Sequence, residues 1–160
     1  MGLLDGKVAV ITGAGSGMAK ASTRLFVAEG ARVVAADLSG AQEDTAREVG
    51  AGVVPVHCDV TNEDDVAAMV ARAVAEFGRL DAILNVAGIG LPTPMRSTDR
   101  ATYDAVMDVD CRGVFLGMKH AIPAMIASGG GSIVNWSSVG GLGAAADRMP
   151  VSVYNAAKAA

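Results

Sequence analysis

Lys7-Val-Ala-Val-Ile-Thr-Gly-Ala-Gly-Ser-Gly-Met-Ala19 is the stretch whose reading decides the fold. A short apolar run breaks into glycines and then resumes as helix-forming residues, the pattern of a strand, a tight loop and a helix N-terminus. Gly13, Gly15 and Gly17 allow a sharp turn and a close approach of backbone to ligand. The helix that follows offers unpaired N–H groups and its positive dipole end to an anion such as a pyrophosphate. The spacing is Thr-Gly-x-x-x-Gly-x-Ala rather than a strict G-x-G-x-x-G, with Ala19 as the small residue that close helix–strand packing needs. Taken alone, three glycines also fit a plain turn, so the surroundings must decide.

Working outward, Met18 to Glu29 reads as a first helix closed by Gly30, and Arg32 to Asp37 as a second strand ending in an acid. Asp37 lies 20 residues past Gly17, where a dinucleotide fold uses a carboxylate to accept hydrogen bonds from the adenosine ribose. The alternative is an ordinary turn carboxylate. An acid here repels a 2′-phosphate, and Ala14, Ala36 and Leu38 supply no cation, so NAD is favoured over NADP. Ser39 to Gln42 and Thr61 to Asp64 both fit capping boxes, opening helices that run to Val49 and Phe77. In the latter, Val66, Met69, Val70, Ala73, Val74 and Phe77 recur at helical spacing and are assigned to the core. Further strands are expected at Val53 to His57, Leu80 to Leu84 and Ser132 to Ser137. Between the last two, a loop from Ile89 to Thr98 leads into a long helix from Asp99 to Ala127, interrupted at Pro123. Gly140 to Pro150 reads as a loop and a final helix begins near Ser152. Five strands alternating with helices specify a single α/β domain, a Rossmann-like, doubly wound parallel sheet. Its carboxyl rim collects Gly13, Asp37, Asp59, Asn85, Ser137 and Ser138.

The 160 residues suffice for one core, and a net charge of −4 with scattered cations gives no nucleic-acid surface. Two cysteines, Cys58 and Cys111, form no C-x-x-C pair, so neither a disulfide framework nor a metal site is expected, and a reducing cytoplasm fits. No apolar run reaches the ~18 residues of a membrane span. His57 and His120 read as ordinary strand-end and helix residues, and Trp136 as core.

Tyr154 and Lys158 stand four apart at the start of the last helix, on one face. An adjacent ammonium favours the ionised form of a phenol, which suits Tyr154 to exchange a proton. Ser138, at the end of the fifth strand, can donate a hydrogen bond to an oxygen that changes charge. The same pair also fits a half-buried tyrosine with a solvated lysine passing over it.

With these motifs together, the chain resembles the short-chain dehydrogenase/reductase family along essentially its whole length. Thr12-Gly-Ala-Gly-Ser-Gly-Met-Ala19 is similar to the family's cofactor loop, Asp59-Val60 to its adenine contact, Asn85-Val-Ala-Gly88 to its fourth-strand motif, and Tyr154-Asn-Ala-Ala-Lys158 to its Tyr-x-x-x-Lys. The resemblance implies cofactor contacts from Thr12, Gly13, Gly15, Ser16, Gly17, Met18, Asp37, Asp59, Val60, Asn85, Ala87, Gly88, Tyr154 and Lys158. It implies Tyr154 as general acid/base, Lys158 as the group that tunes it and binds the nicotinamide ribose, and Ser138 as the group that steadies the substrate oxygen. Asp110 falls where the family carries an asparagine that holds a relay water, and its extra charge implies slower turnover with an altered pH profile. The chain breaks off early in the last helix, so an incomplete domain is expected, with a homotetramer as the full-length form. The function implied is NAD-dependent hydride transfer with a secondary alcohol or ketone. The alternatives are a nucleotide-binding module without catalysis and an NADP-linked 3-oxoacyl reductase.

Overall fold

A computed structural model describes residues 2–143 and 150–160; the loop expected up to Pro150 lies partly outside the described residues. Strands β1 (Val8–Thr12), β2 (Arg32–Asp37), β3 (Val53–His57), β4 (Ala82–Asn85) and β5 (Ser132–Asn135) form one parallel sheet in the order β3-β2-β1-β4-β5. Val10 pairs with Val34 on one side and Ile83 on the other, which fixes β1 at the centre. Every residue of β1 is buried, as expected of a central parallel strand covered on both faces.

Alternate residues divide the core between the two faces. Val8, Val10, Val34 and Ile83 pack with Met69 of α3 (Glu63–Phe77) and Leu116 of α5 (Gly113–Ala127). Ala9, Ile11, Val33 and Leu84 pack with Ala19 of α1 (Gly17–Ala28), and Trp136 lies against this second cluster as expected. Helix α3 buries Val66, Met69, Val70 and Ala73 in the predicted stripe, but Val74 falls off its edge and is 40% exposed.

Other departures have local causes. The side chain of Asn62, rather than Thr61, caps α3 by accepting from Asp64 N at 3.0 Å, because the Thr61 N–H and hydroxyl both donate to Asp59. Likewise α2 (Gln42–Val49) is preceded by Ala41 without a side-chain cap, since the Ser39 hydroxyl donates to Asp37 Oδ1 at 2.7 Å. The long helix resolves into α4 (Arg100–Met107), a five-residue π-helical stretch Asp108–Arg112, and α5. Pro123 does not interrupt α5: it lies on the exposed side, where water can serve the carbonyl it leaves unpaired. Strand β4 starts two residues later than expected and includes Asn85, whereas β5 stops at Asn135, and a four-residue helix α6 (Val139–Leu142) follows it. Helix α7 (Ser152–Ala159) carries Tyr154 and Lys158.

Candidate active site

The chain leaves β1 at Gly13 with φ +72°, a left-handed conformation, and a Cβ there would stand 3.0 Å from Ala87 Cα. Both facts require glycine. Thr12 enforces the approach: its Oγ1 accepts from Val86 N and Ala87 N at 3.0 and 3.1 Å, tying β1 to the segment after β4. Thr12 is therefore a buried brace and does not line the cleft. Gly15 N–H donates to Asp37 Oδ2 at 2.9 Å, and Ser39 N–H to Oδ1 at 2.8 Å. Burial pushes the Asp37 carboxyl up, but the Ser39 and Gly15 hydrogen bonds outweigh it and hold the group below the ordinary carboxylate value. Asp37 is thus ionised at neutral pH.

Ser16 starts α1 without a side-chain cap, so the first-turn N–H groups keep their capacity for an anion. They open on a cleft of about 300 Å³ that runs from Asp37 and Leu38, past Gly17 and Met18, to Gly88 and Ile89. Gly17 has φ +53°, and a Cβ there would meet no atom within 4 Å, so the cradle is open toward the cleft. Asp59 and Val60 line the same space. No lysine or arginine is among the described residues lining it. A nucleotide bearing a pyrophosphate fits this donor set. Cys58 also borders the cleft, but burial and then the Asp65 and Asp59 charges push its thiol up to about 12, which keeps it protonated and unreactive.

Asn85 is placed differently from the expectation. It is buried beneath α5, where its Nδ2 donates to Asn135 Oδ1 at 2.8 Å and its amide crowds Gly117 too closely for any Cβ. It braces β4 against β5 rather than facing the cleft. Ala87 and Gly88, by contrast, form the cleft wall.

Behind that wall lie Lys158 and Asp110. Lys158 Nζ donates to Trp136 O at 3.0 Å and stands 3.5 Å from Asp110 Oδ2, with the Tyr154 ring centroid 5.8 Å away. Ser137 Oγ donates to Lys158 O at 2.6 Å, fastening α7 to the end of β5. Ser138 Oγ caps α6 by accepting from Gly140 N at 3.1 Å, which leaves its O–H to donate elsewhere. Asp110 is turned inward by the π-helical stretch and is 3% exposed, and its Oδ1 accepts from Ile89 N at 2.7 Å. Single-turn π segments recur at functional sites. The parallel bridge between Thr93 and Val151 holds the loop after β4 against the start of α7.

The sequence reading missed the roles of Leu38 and Val109 in the cleft lining, and of Trp136 O and Ser137 in holding Lys158. Main-chain acceptors leave no trace in composition. Ser137 is the exception, since the Ser137-Ser138 doublet marked it as a neighbour of the site.

A family model described as short chain dehydrogenase matches residues 7–160. The chain is 44% identical over 157 residues to a cis-4-hydroxycyclohexanecarboxylate dehydrogenase of Sinomonas cyclohexanicum, covering 96% of this chain and 62% of that protein. It is also 44% identical over 151 residues to a mitochondrial borneol dehydrogenase of Lavandula x intermedia, covering 92% of this chain and 57% of that protein. A short-chain dehydrogenase/reductase from Burkholderia phymatum, solved in complex with NAD, superposes with a TM-score of 0.91 at 35% identity, covering 99% of this chain and 57% of that one. The chain thus spans about three fifths of the length of these relatives.

Proposed function

The chain belongs to the short-chain dehydrogenase family, and on that premise we propose that it carries the cofactor-binding and proton-transfer part of an NAD-dependent oxidoreductase acting on a secondary alcohol or ketone. The observation that supports this most is one continuous cleft. It has an ionised carboxylate at one end, open helix N–H groups in the middle and Gly88 with Ile89 at the other, and Lys158 lies just beyond that last wall, its Nζ 3.1 Å from where a Gly88 Cβ would stand. When bound, the nicotinamide supplies the hydride acceptor or donor.

The protein groups bind, orient and move the proton. Ser16, Gly17 and Met18 at the start of α1 would give the pyrophosphate its backbone donors, Gly13 and Gly15 let the loop approach it, Asp37 would accept from the adenosine ribose, and Asp59 and Val60 border the adenine. Thr12 and Asn85 act from behind by fixing the loops. Tyr154 takes the hydroxyl proton of an alcohol, or returns it to a ketone oxygen, with Lys158 beside its ring on the same helix. Ser138 O–H steadies the substrate oxygen. The relatives named for a hydroxycyclohexane acid and for borneol support a cyclic secondary alcohol as substrate. NAD is favoured over NADP because Asp37 and the cation-free lining near it offer a 2′-phosphate only repulsion. A cytoplasmic homotetramer is the form we propose for the complete enzyme.

The test is a fluorescence titration with NADH and NADPH, followed by assay of the full-length enzyme on cyclic secondary alcohols. NADH should bind more tightly than NADPH, and Tyr154→Phe should keep NADH binding while turnover falls about 10²- to 10⁴-fold. Binding without turnover on a broad alcohol panel would instead support a nucleotide-binding module.

A further inference from the structure

Asp110 introduces a charge that the chemistry above does not require. Its Oδ1 is committed to Ile89 N–H, whereas Oδ2 is buried with no hydrogen-bond partner among the described residues and faces Lys158 Nζ at 3.5 Å, too long for a good hydrogen bond but close for an ion pair. Both side chains are nearly sealed from water. The pair lies directly behind the cleft wall: a Cβ on Gly88 would stand 3.1 Å from Lys158 Nζ and 3.3 Å from either Asp110 oxygen. A charge placed so close, with little solvent between, acts strongly on whatever fills that end of the cleft.

We propose that Asp110 is a positioning residue that neutralises the Lys158 ammonium, so that the reaction end of the cleft accepts the positively charged, oxidised nicotinamide more readily than an amide at the same place would allow. This rests on the nicotinamide reading above. With both groups ionised, the local net charge is zero. An uncharged residue at position 110 leaves a buried ammonium whose remaining partner is the Trp136 carbonyl, and that ammonium repels the pyridinium of NAD⁺ while leaving neutral NADH unaffected.

The preference is also pH-dependent. Burial pushes the Asp110 carboxyl above the ordinary carboxylate value, and the Ile89 N–H and Lys158 only partly oppose it. The preference for NAD⁺ is therefore present above that raised value and lost as pH falls through it. Lys158 faces Asp110 from α7, which also carries Tyr154, and Cys111 follows it in the chain. Among the described residues of the adjoining elements, Asp108 pairs with Arg112, Arg100 with Asp104, and Lys119 and His120 with Glu63, while Asp99 caps α4 and Arg96 lies exposed in the loop after β4.

The experiment measures dissociation constants of NAD⁺ and NADH, by NADH fluorescence with NAD⁺ as competitor, for the parent, Asp110→Asn and Asp110→Glu. Asp110→Asn should lose affinity for NAD⁺ relative to NADH by roughly three- to tenfold, and Asp110→Glu should retain part of the parent ratio. In the parent alone, the ratio should drift toward that of Asp110→Asn as pH is lowered from neutrality through the acid range. An unchanged ratio in a folded Asp110→Asn, or a flat parent ratio over that range if the variant does not fold, overturns the inference while leaving the cofactor reading intact. Failure of the parent to bind either form overturns both.

Discussion

A methyl group at Gly15 would stand 2.9 Å from Ala41 Cβ and 3.0 Å from the Asp37 carboxyl, so this glycine is required by a neighbour rather than by its own backbone. Gly15→Ala should displace Asp37 and weaken NADH binding by about tenfold or more, read by fluorescence titration, with little change in Tm. Gly13 differs: its left-handed φ and its contact with Ala87 make Gly13→Ala cost about 1–3 kcal/mol in chemical denaturation. Asp81 supplies the pH prediction at this scale. Burial pushes its carboxyl up, but Arg79, the Val8 N–H and Lys7 outweigh that and leave it below 3.8. A carboxylate of that kind contributes stability above its unfolded pKa and loses it as pH falls through the folded value. Asp81→Asn should therefore lower stability by about 1–2 kcal/mol at neutral pH and flatten the stability curve below about pH 4, measured by urea unfolding.

At the scale of elements, what the sequence made legible was periodicity and glycine punctuation. The strand–loop–helix start, the α3 stripe and the Tyr154–Lys158 face all follow from spacing alone. What it concealed were competitions among nearby polar groups. Ser39 and Thr61 had the right spacing for caps, yet each hydroxyl turned to the carboxylate at the preceding strand end. The π-helical stretch went unread because its phase shift falls between two short helices, α4 and α5, and it is there that Asp110 turns inward. Thr12 and Asn85 sat in cofactor motifs and proved to hold the loops together. Helix α7 is fastened by Ser137 Oγ to Lys158 O, and Ser137→Ala should speed amide exchange across Asn155 to Ala159 and cost about 1 kcal/mol, with β1 protection unchanged.

At the scale of the molecule, one sheet places every motif at the same edge, so fold and site were readable together. Its outer surfaces were less so. Strand β5 lies at the edge of the sheet, and Phe115, Ile122 and Ile126 of α5 expose large apolar side chains, Ile126 to 72%. The proposed homotetramer covers such a face. Ile126→Glu should shift sedimentation toward smaller species while altering stability by no more than about 0.5 kcal/mol; unchanged association would exclude this face. The order β3-β2-β1-β4-β5 carries a last consequence, for synthesis on the ribosome. The first strand made is the central one, and its second neighbour ends only at Asn85. At ordinary elongation rates β1 waits on the order of ten seconds with one edge bare. Its apolar run Val8 to Ile11 is then an early target for a chaperone, long before Tyr154 has been added to the chain.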